Sequence, residues 1–409
     1  MAEEQPLYLV GYPEMDPVTD AAPIGDYDTG YSATPRLKER TTGAWLTGDD
    51  PEERQFMHIG PVELSHGGRI PNVQIAYETW GELNEDASNA ILLCHALTGD
   101  SHASSKDGKS GWWHEIVGPG LAIDTNKYFV VCPNVLGGCQ GTTGPASFAP
   151  DGERWGPRFP QITIRDMCRA EARMAKQLGI KKWHLIAGAS FGGNRVMEWA
   201  ATFPEMTGAI AVLVSGPAST AEQIAYAHLQ KLAIMHDPMW RGGNYYDAGP
   251  GQGPTAGLGL ARQIAHLTYR CPEEMAVRFG RTPQRGENPR FGGRYAVESY
   301  LDYHAYKLIG RFDANSYLTI NQAFITHDIG YERGGIDKVL ESLTMPALVV
   351  EVDSDRLFYP EDMKKLAEAL PGSGELKTVR SAHGHDGFLI ENDQVSTILR
   401  EFLHKIGDA

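Results

Sequence analysis

A set of short, almost purely apolar runs separated by helical patterns limits what this chain can become. Residues 90–95 (AILLCH), 128–132 (YFVVC), 183–187 (WHLIA), 209–215 (AIAVLVS) and 347–352 (ALVVEV) show little polar alternation. A strand with one wet face alternates, whereas a strand covered on both faces does not. Between these runs, residues 164–178 place apolar side chains at helical spacing and Gly179 stops them. Further helices are expected from about Gly193 to Phe203, ended by Pro204, and over 360–370. Residues 73–80 (VQIAYETW) and 376–380 add strands. The pattern predicts an α/β fold: a mostly parallel central sheet with helices on both faces.

Between Pro217 and about Gly335 the strand signal disappears, leaving helical segments at 221–236 and 256–269 and a Gly/Arg-rich loop. This stretch reads as a helical subdomain inserted over the sheet. The expected organisation is an arm outside the core (1–50), the first part of the core (51–217), the insertion (218–335) and the second part of the core (336–409). The arm is rich in Pro, Gly, Asp and Thr and has no sustained period.

Charge and cysteine usage narrow the function. Lys and Arg total 37 against 52 Asp and Glu, a net charge of −15. Such a surface repels phosphate backbones and anionic lipid, so neither nucleic acid nor a membrane is an expected partner. Five cysteines without a C-x-x-C fit reduced thiols rather than a disulfide framework or a zinc ribbon. No basic, apolar leader opens the chain, and no apolar stretch approaches the roughly 18 residues of a membrane span. A soluble cytoplasmic protein without a bound metal is the expectation.

The sequence WHLIAGASFGGNRVMEWA places G-x-S-x-G at Gly188, Ser190 and Gly192. An apolar strand runs into the motif and a helix leaves it, which is the strand–turn–helix of a nucleophile elbow. Glycines flank the serine because a Cβ there would collide with neighbouring backbone. The bland alternative is a Gly-rich βα turn with an idle serine, and the context argues against it.

A serine hydroxyl is a poor nucleophile until an imidazole takes its proton, and a carboxylate must hold that imidazole. In hydrolase sheets of this kind the acid follows the nucleophile and the histidine comes last. EVDSDRLFYP, after the strand 347–352, offers Asp353 and Asp355. SAHGHDGFLIE, after 376–380, offers His383 and His385. Asp355 and His385 are favoured, although spacing alone separates neither pair. A metal site at His383 and His385 is disfavoured for want of further ligands. Two N–H groups should form an oxyanion hole: Phe191, after the nucleophile, and Leu97, in CHALTGDSHAS. His95, just before that loop, is read as structural.

Together these segments resemble the homoserine O-acetyltransferases, acyltransferases of the α/β-hydrolase fold. The resemblance covers about residues 55 to 405 and rests on NVQIAYETWGELN, CHALTGDSHA, GWWHEIVGPG, NVLGGCQGTTGPAS, GASFGGNRVMEWA, LARQIAHLTYR, VDSDRLFYP and GHDGFLIE. It implies acetyl transfer from acetyl-CoA to the hydroxyl of L-homoserine in methionine biosynthesis, with Ser190 as nucleophile, Asp355 as triad acid and His385 as base. It further implies that Arg262 in LARQI and Asp386 in GHDGF bind homoserine; chemically, Arg262 suits the α-carboxylate and Asp386 the α-ammonium. Acetyl-CoA is then a co-substrate, and no cofactor is held permanently. A helical lid, a tunnel to the nucleophile and a homodimer through lid helices are also implied. Related enzymes use succinyl-CoA or acylate serine, and a plain esterase or thioesterase is the less favoured alternative. Seven arginines against three glutamates between Arg262 and Arg294 form a local basic patch, with Arg281 and Arg285 as expected contacts for CoA phosphates.

Overall fold

The computed structural model describes residues 40–407. The strands are β1 (Gln55–Glu63), β2 (Arg69–Trp80), β3 (Ala90–Cys94), β4 (Val117–Gly118), β5 (Ile123–Asp124), β6 (Phe129–Pro133), β7 (Leu185–Ala189), β8 (Ile210–Leu213), β9 (Ala347–Val352) and β10 (Lys377–Val379). Eight of them form one sheet in the order β1-β2-β6-β3-β7-β8-β9-β10, and β4 and β5 pair separately. β1 with β2 and β2 with β6 are antiparallel. The remaining neighbours, from β6 through β10, are parallel.

The apolar runs are buried because both sheet faces are covered. Every residue of β3, β7 and β8 is buried. Successive side chains leave a strand on opposite faces. Ile91 and Leu93 accordingly join a core with Trp113 and Leu399, while Leu92 and Cys94 join another with Met167 and Trp199. Burying each large aliphatic side chain stabilises the fold by about 1.5–3 kcal/mol, so the alternation commits both faces at once.

Helix α1 (Ile164–Gln177) starts at a capping box in which Thr163 and Asp166 satisfy each other's backbone N–H. Helix α2 (Phe191–Thr202) starts two residues before its expected position, directly after Ser190. Between β8 and β9 lie α3 (Ala221–Met235), α4 (Thr255–Tyr269), α5 (Pro272–Arg278), α6 (Ala296–Ile309), α7 (Ala314–Ile325) and α8 (Ile336–Ser342). After β9 come α9 (Pro360–Ala369), α10 (Gly387–Ile390) and α11 (Asn392–Ile406). Among the described residues no helix is long and apolar enough to cross a membrane.

One boundary differs from expectation. Residues 1–39 of the expected arm lie outside the described residues, but from residue 40 the chain is built in. Ala44 is buried in the larger core. Thr42 Oγ1 donates to Asp313 Oδ1 at 2.8 Å, and Trp45 N–H to the Cys139 carbonyl at 2.9 Å. This segment belongs to no strand or helix, so it has no periodicity to read.

Candidate active site

Ser190 sits between β7 and α2 at φ 56°, ψ −127°, a left-handed conformation that costs a non-glycine residue about 1–3 kcal/mol. Three glycines make the bend possible. A Cβ on Gly188 would lie 2.7 Å from the Gly192 carbonyl, and one on Gly192 2.0 Å from the Cys94 carbonyl oxygen. A Cβ on Gly193 would lie 2.4 Å from Ser215 Cβ. The bend is then tied down: Ser215 Oγ donates to the Ser190 carbonyl at 2.7 Å, and Asn194 N–H donates to it at 3.1 Å. The serine is thereby held at the N-terminus of α2, where backbone N–H groups are free and the helix dipole is positive.

The structure separates the paired candidates. Asp355 Oδ2 and His385 Nδ1 are 2.7 Å apart, and both residues are buried. Asp355 Oδ1 accepts the N–H groups of Leu357 at 2.7 Å and Phe358 at 3.1 Å, which fixes the carboxylate. Asp353 instead accepts from Ser381 N–H, and His383 faces Glu274 at 3.3 Å. His383 and His385 thus turn to different partners. The His385 ring packs among Phe358, Phe388 and Tyr269, with ring centroids 5.5, 5.6 and 5.8 Å away. Burial pulls its pKa down, but the charge and hydrogen bond of Asp355 outweigh that and hold it above the ordinary histidine value. With a proton held on Nδ1, Nε2 is a buried lone pair that bonds to no group among the described residues, Ser190 Oγ included. Contacts of this kind commonly close only once substrate is seated.

The Leu97 and Phe191 N–H groups enter no hydrogen bond among the described residues, which leaves both for an incoming oxygen. His95 fixes the start of the loop that carries Leu97. Its Nδ1 bonds the Ala96 carbonyl at 2.8 Å, and its Nε2 accepts from Val135 N–H at 3.1 Å. Burial, reinforced by the Arg195 charge, lowers its pKa to about 3, so it is neutral near pH 7 and its nitrogens are committed. The structural reading of His95 rests on these bonds.

Lid helix α4 brings Arg262 towards this loop. Arg262 Nη1 is 3.5 Å from Thr98 Oγ1, its guanidinium lies 5.4 Å from the Tyr269 ring centre, and its Nε is buried without a hydrogen-bond partner among the described residues. Asp386, next to His385, lies with Oδ2 3.4 Å from Arg270 Nε. Burial raises the Asp386 pKa against the opposing charges of Arg270, His385 and Arg262. Tyr269 thus lies beside both the Arg262 guanidinium and the His385 ring, and Asp386 directly follows His385 in the chain. Sequence reasoning missed Tyr269 and Arg270. Tyr269 stands two helical turns after Arg262 on α4, so helical spacing from the arginine would have found it.

Glu53, Glu78 and His102 form the one group of metal-ligand type found among the described residues. Glu78 is already engaged by Ser101 Oγ at 2.7 Å and His102 Nδ1 at 2.9 Å, as an anchor for the loop.

The chain matches the family described as alpha/beta hydrolase fold over residues 89–392, and the sheet order and elbow define an α/β hydrolase. It is 53% identical over 378 residues to the homoserine O-acetyltransferase of Thermobifida fusca, aligning 91% of this chain with 99% of that protein. The corresponding enzyme of Mycolicibacterium smegmatis is 44% identical over 380 residues, 92% of this chain and 96% of that one. The crystal structure of homoserine O-acetyltransferase from Bacillus anthracis superposes with a TM-score of 0.79 at 28% identity, covering 85% and 96% of the two chains. Esterase E22 superposes with a TM-score of 0.78 at 25% identity, covering 86% and 99%. The chain belongs to the homoserine O-acetyltransferase family.

Proposed function

We propose that the protein is a homoserine O-acetyltransferase of methionine biosynthesis, working in the cytoplasm by a ping-pong mechanism on Ser190. The observation that carries this reading is the buried, unbonded His385 Nε2, backed by Asp355, in a fold that presents Ser190 on a strained bend. His385 Nε2 takes the Ser190 Oγ proton as Oγ attacks the thioester carbonyl. Leu97 and Phe191 N–H groups receive the developing oxyanion. The C–S bond breaks and CoA leaves with the proton from His385. The acceptor hydroxyl then gives its proton to Nε2 and attacks the acetyl-serine, and Ser190 Oγ recovers a proton as it departs. Arg262 holds the acceptor carboxylate and Asp386 its ammonium, placing the hydroxyl ahead of water.

Acetyl-CoA enters as a co-substrate, not a resident cofactor. Within the basic stretch Arg270 and Arg278 lie near Glu274, and Arg294 binds Glu287. Arg281, Arg285 and Arg290 are exposed, which supports them as phosphate contacts. Ile224, Leu229 and Met235 on α3 and Leu260 and Leu267 on α4 are also exposed, which supports a homodimer through the lid helices.

Specificity constants for acetyl-CoA and succinyl-CoA, each with L-homoserine and L-serine, test the reading. It expects the acetyl-CoA and homoserine pair to dominate and O-acetylhomoserine as product. The esterase likeness supplies the rival outcome: sustained release of CoA and free acetate at a rate indifferent to homoserine would make the protein a hydrolase.

A further inference from the structure

The loop that carries the Leu97 N–H is anchored to the core at both ends. His95 bonds it at the start, and at the far end Ser101 N–H donates to Asn134 Oδ1 at 3.0 Å while Ser101 Oγ donates to Glu78. Its middle is bound to the lid. Arg311 Nη2 donates to the Thr98 carbonyl at 2.6 Å, and Nη1 lies 3.6 Å from Asp100 Oδ2.

The arginine is well placed to dictate rather than follow. It sits in the turn between α6 and α7, where its own N–H donates to the Leu308 carbonyl at 3.0 Å and its carbonyl accepts from Gln140 Nε2. Gly43 presses on the same turn, since a Cβ there would lie 2.5 Å from Arg311 N. A fixed backbone thus sends a charged fork onto the carbonyl one residue beyond the oxyanion donor. A charged donor on a carbonyl is among the stronger hydrogen bonds available, whereas a half-exposed ion pair such as that with Asp100 adds little. The bond to Thr98 is the contact that matters.

We propose that Arg311 is a positioning residue of the acyl-transfer site: through the Thr98 carbonyl it sets the Leu97 N–H in the oxyanion hole, so that the lid completes a hole the core leaves half-fixed. This rests on the reading of Ser190 as nucleophile and Leu97 as oxyanion donor. The hole serves both the formation and the breakdown of the acetyl-serine, so Arg311 acts on both half-reactions.

The test uses the full chain carrying Arg311→Ala and Arg311→Lys, with rates normalised to active sites counted by the acylation burst. For Arg311→Ala both half-reaction rates fall by about ten- to a hundred-fold, less than the hundred- to thousand-fold that deletion of an oxyanion donor costs. KM for acetyl-CoA and homoserine and the midpoint of the acid pH limb stay in place. Affinity for a tetrahedral-adduct inhibitor such as a boronate falls by the same factor as the rates, and Arg311→Lys recovers most of both losses. Normalised rates equal to those of the unaltered enzyme, or a raised KM with kcat kept, overturn the proposal. A drop in one half-reaction alone overturns it as well. If Ser190→Ala still turns over, the underlying reading fails instead; if acetyl-serine forms on Ser190 and the Arg311 variants behave normally, only this inference falls.

Discussion

Asp355 and His385 are 30 residues apart in the chain and 2.7 Å apart in the fold, with both side chains withdrawn from water. Because the net effect holds the imidazole above its ordinary pKa of about 6.5, kcat/KM should rise with pH through a midpoint above that value. Asp355→Asn should lower kcat by about 10⁴-fold and shift the limb towards acid. A pH–rate profile whose limb does not move on this substitution would show that another group sets it. The sign for stability is opposite. A raised folded pKa contributes stability in full below about pH 6.5, lost as pH climbs through the folded value.

Ser190 carries backbone strain that activity requires and folding does not. Ser190→Gly removes the Cβ from a bend at φ 56°. Strain relief of about 1–3 kcal/mol against a glycine entropy cost of about 0.5–1 kcal/mol leaves a net gain of about 1 kcal/mol. Both Ser190→Gly and Ser190→Ala should be inactive, with the glycine variant melting higher. Equal melting temperatures in calorimetry would mean the bend is not strained.

Gly193 and Ser215 are predicted to behave as one packing unit. Gly193→Ala drives a Cβ to 2.4 Å from Ser215 Cβ and should cost about 1–3 kcal/mol. Ser215→Gly removes the obstacle, so a double-mutant cycle in urea should return a coupling of about 1 kcal/mol or more. Activity should stay low in the double variant, because the 2.7 Å bond from Ser215 Oγ to the Ser190 carbonyl is gone. Additive losses of stability would contradict the clash.

His95 should not titrate with catalysis. With its pKa lowered to about 3, nuclear magnetic resonance should show a neutral ring protonated at Nδ1 throughout the active pH range. The unfolded chain protonates this histidine near pH 6.5 while the native state resists until about pH 3, so stability falls as pH drops through that interval. Half-buried His304, also lowered to about 3, and buried His327, lowered to about 4, add to the same acid weakness. A His95 resonance that titrates alongside the rate would make it a participant instead.

The parts of this molecule legible in the sequence are those governed by local or periodic rules. β3, β7 and β8 were readable because burial on both faces removes alternation. The elbow was readable because steric exclusion demands Gly188 and Gly192 at fixed offsets. β1 was missed: it is an antiparallel edge strand of mixed exposure whose register slips around Gly60, so no clean period survives. The start of α2 came two residues early because the bend feeds the helix without a separate cap. The choice of Asp355 over Asp353 needed the direction of each carboxylate, which spacing cannot supply. The clasp of Arg311 on Thr98 joins residues 213 positions apart and leaves no local trace at all.

The most direct test of the acyl-serine account is rapid mixing of the enzyme with acetyl-CoA without an acceptor, followed by quenching and peptide mass analysis. The account predicts a burst of one CoA per active site and a single acetyl group on the peptide containing Ser190, discharged on adding L-homoserine. Full turnover on later addition of homoserine, with no acetyl group ever trapped on Ser190, would contradict it.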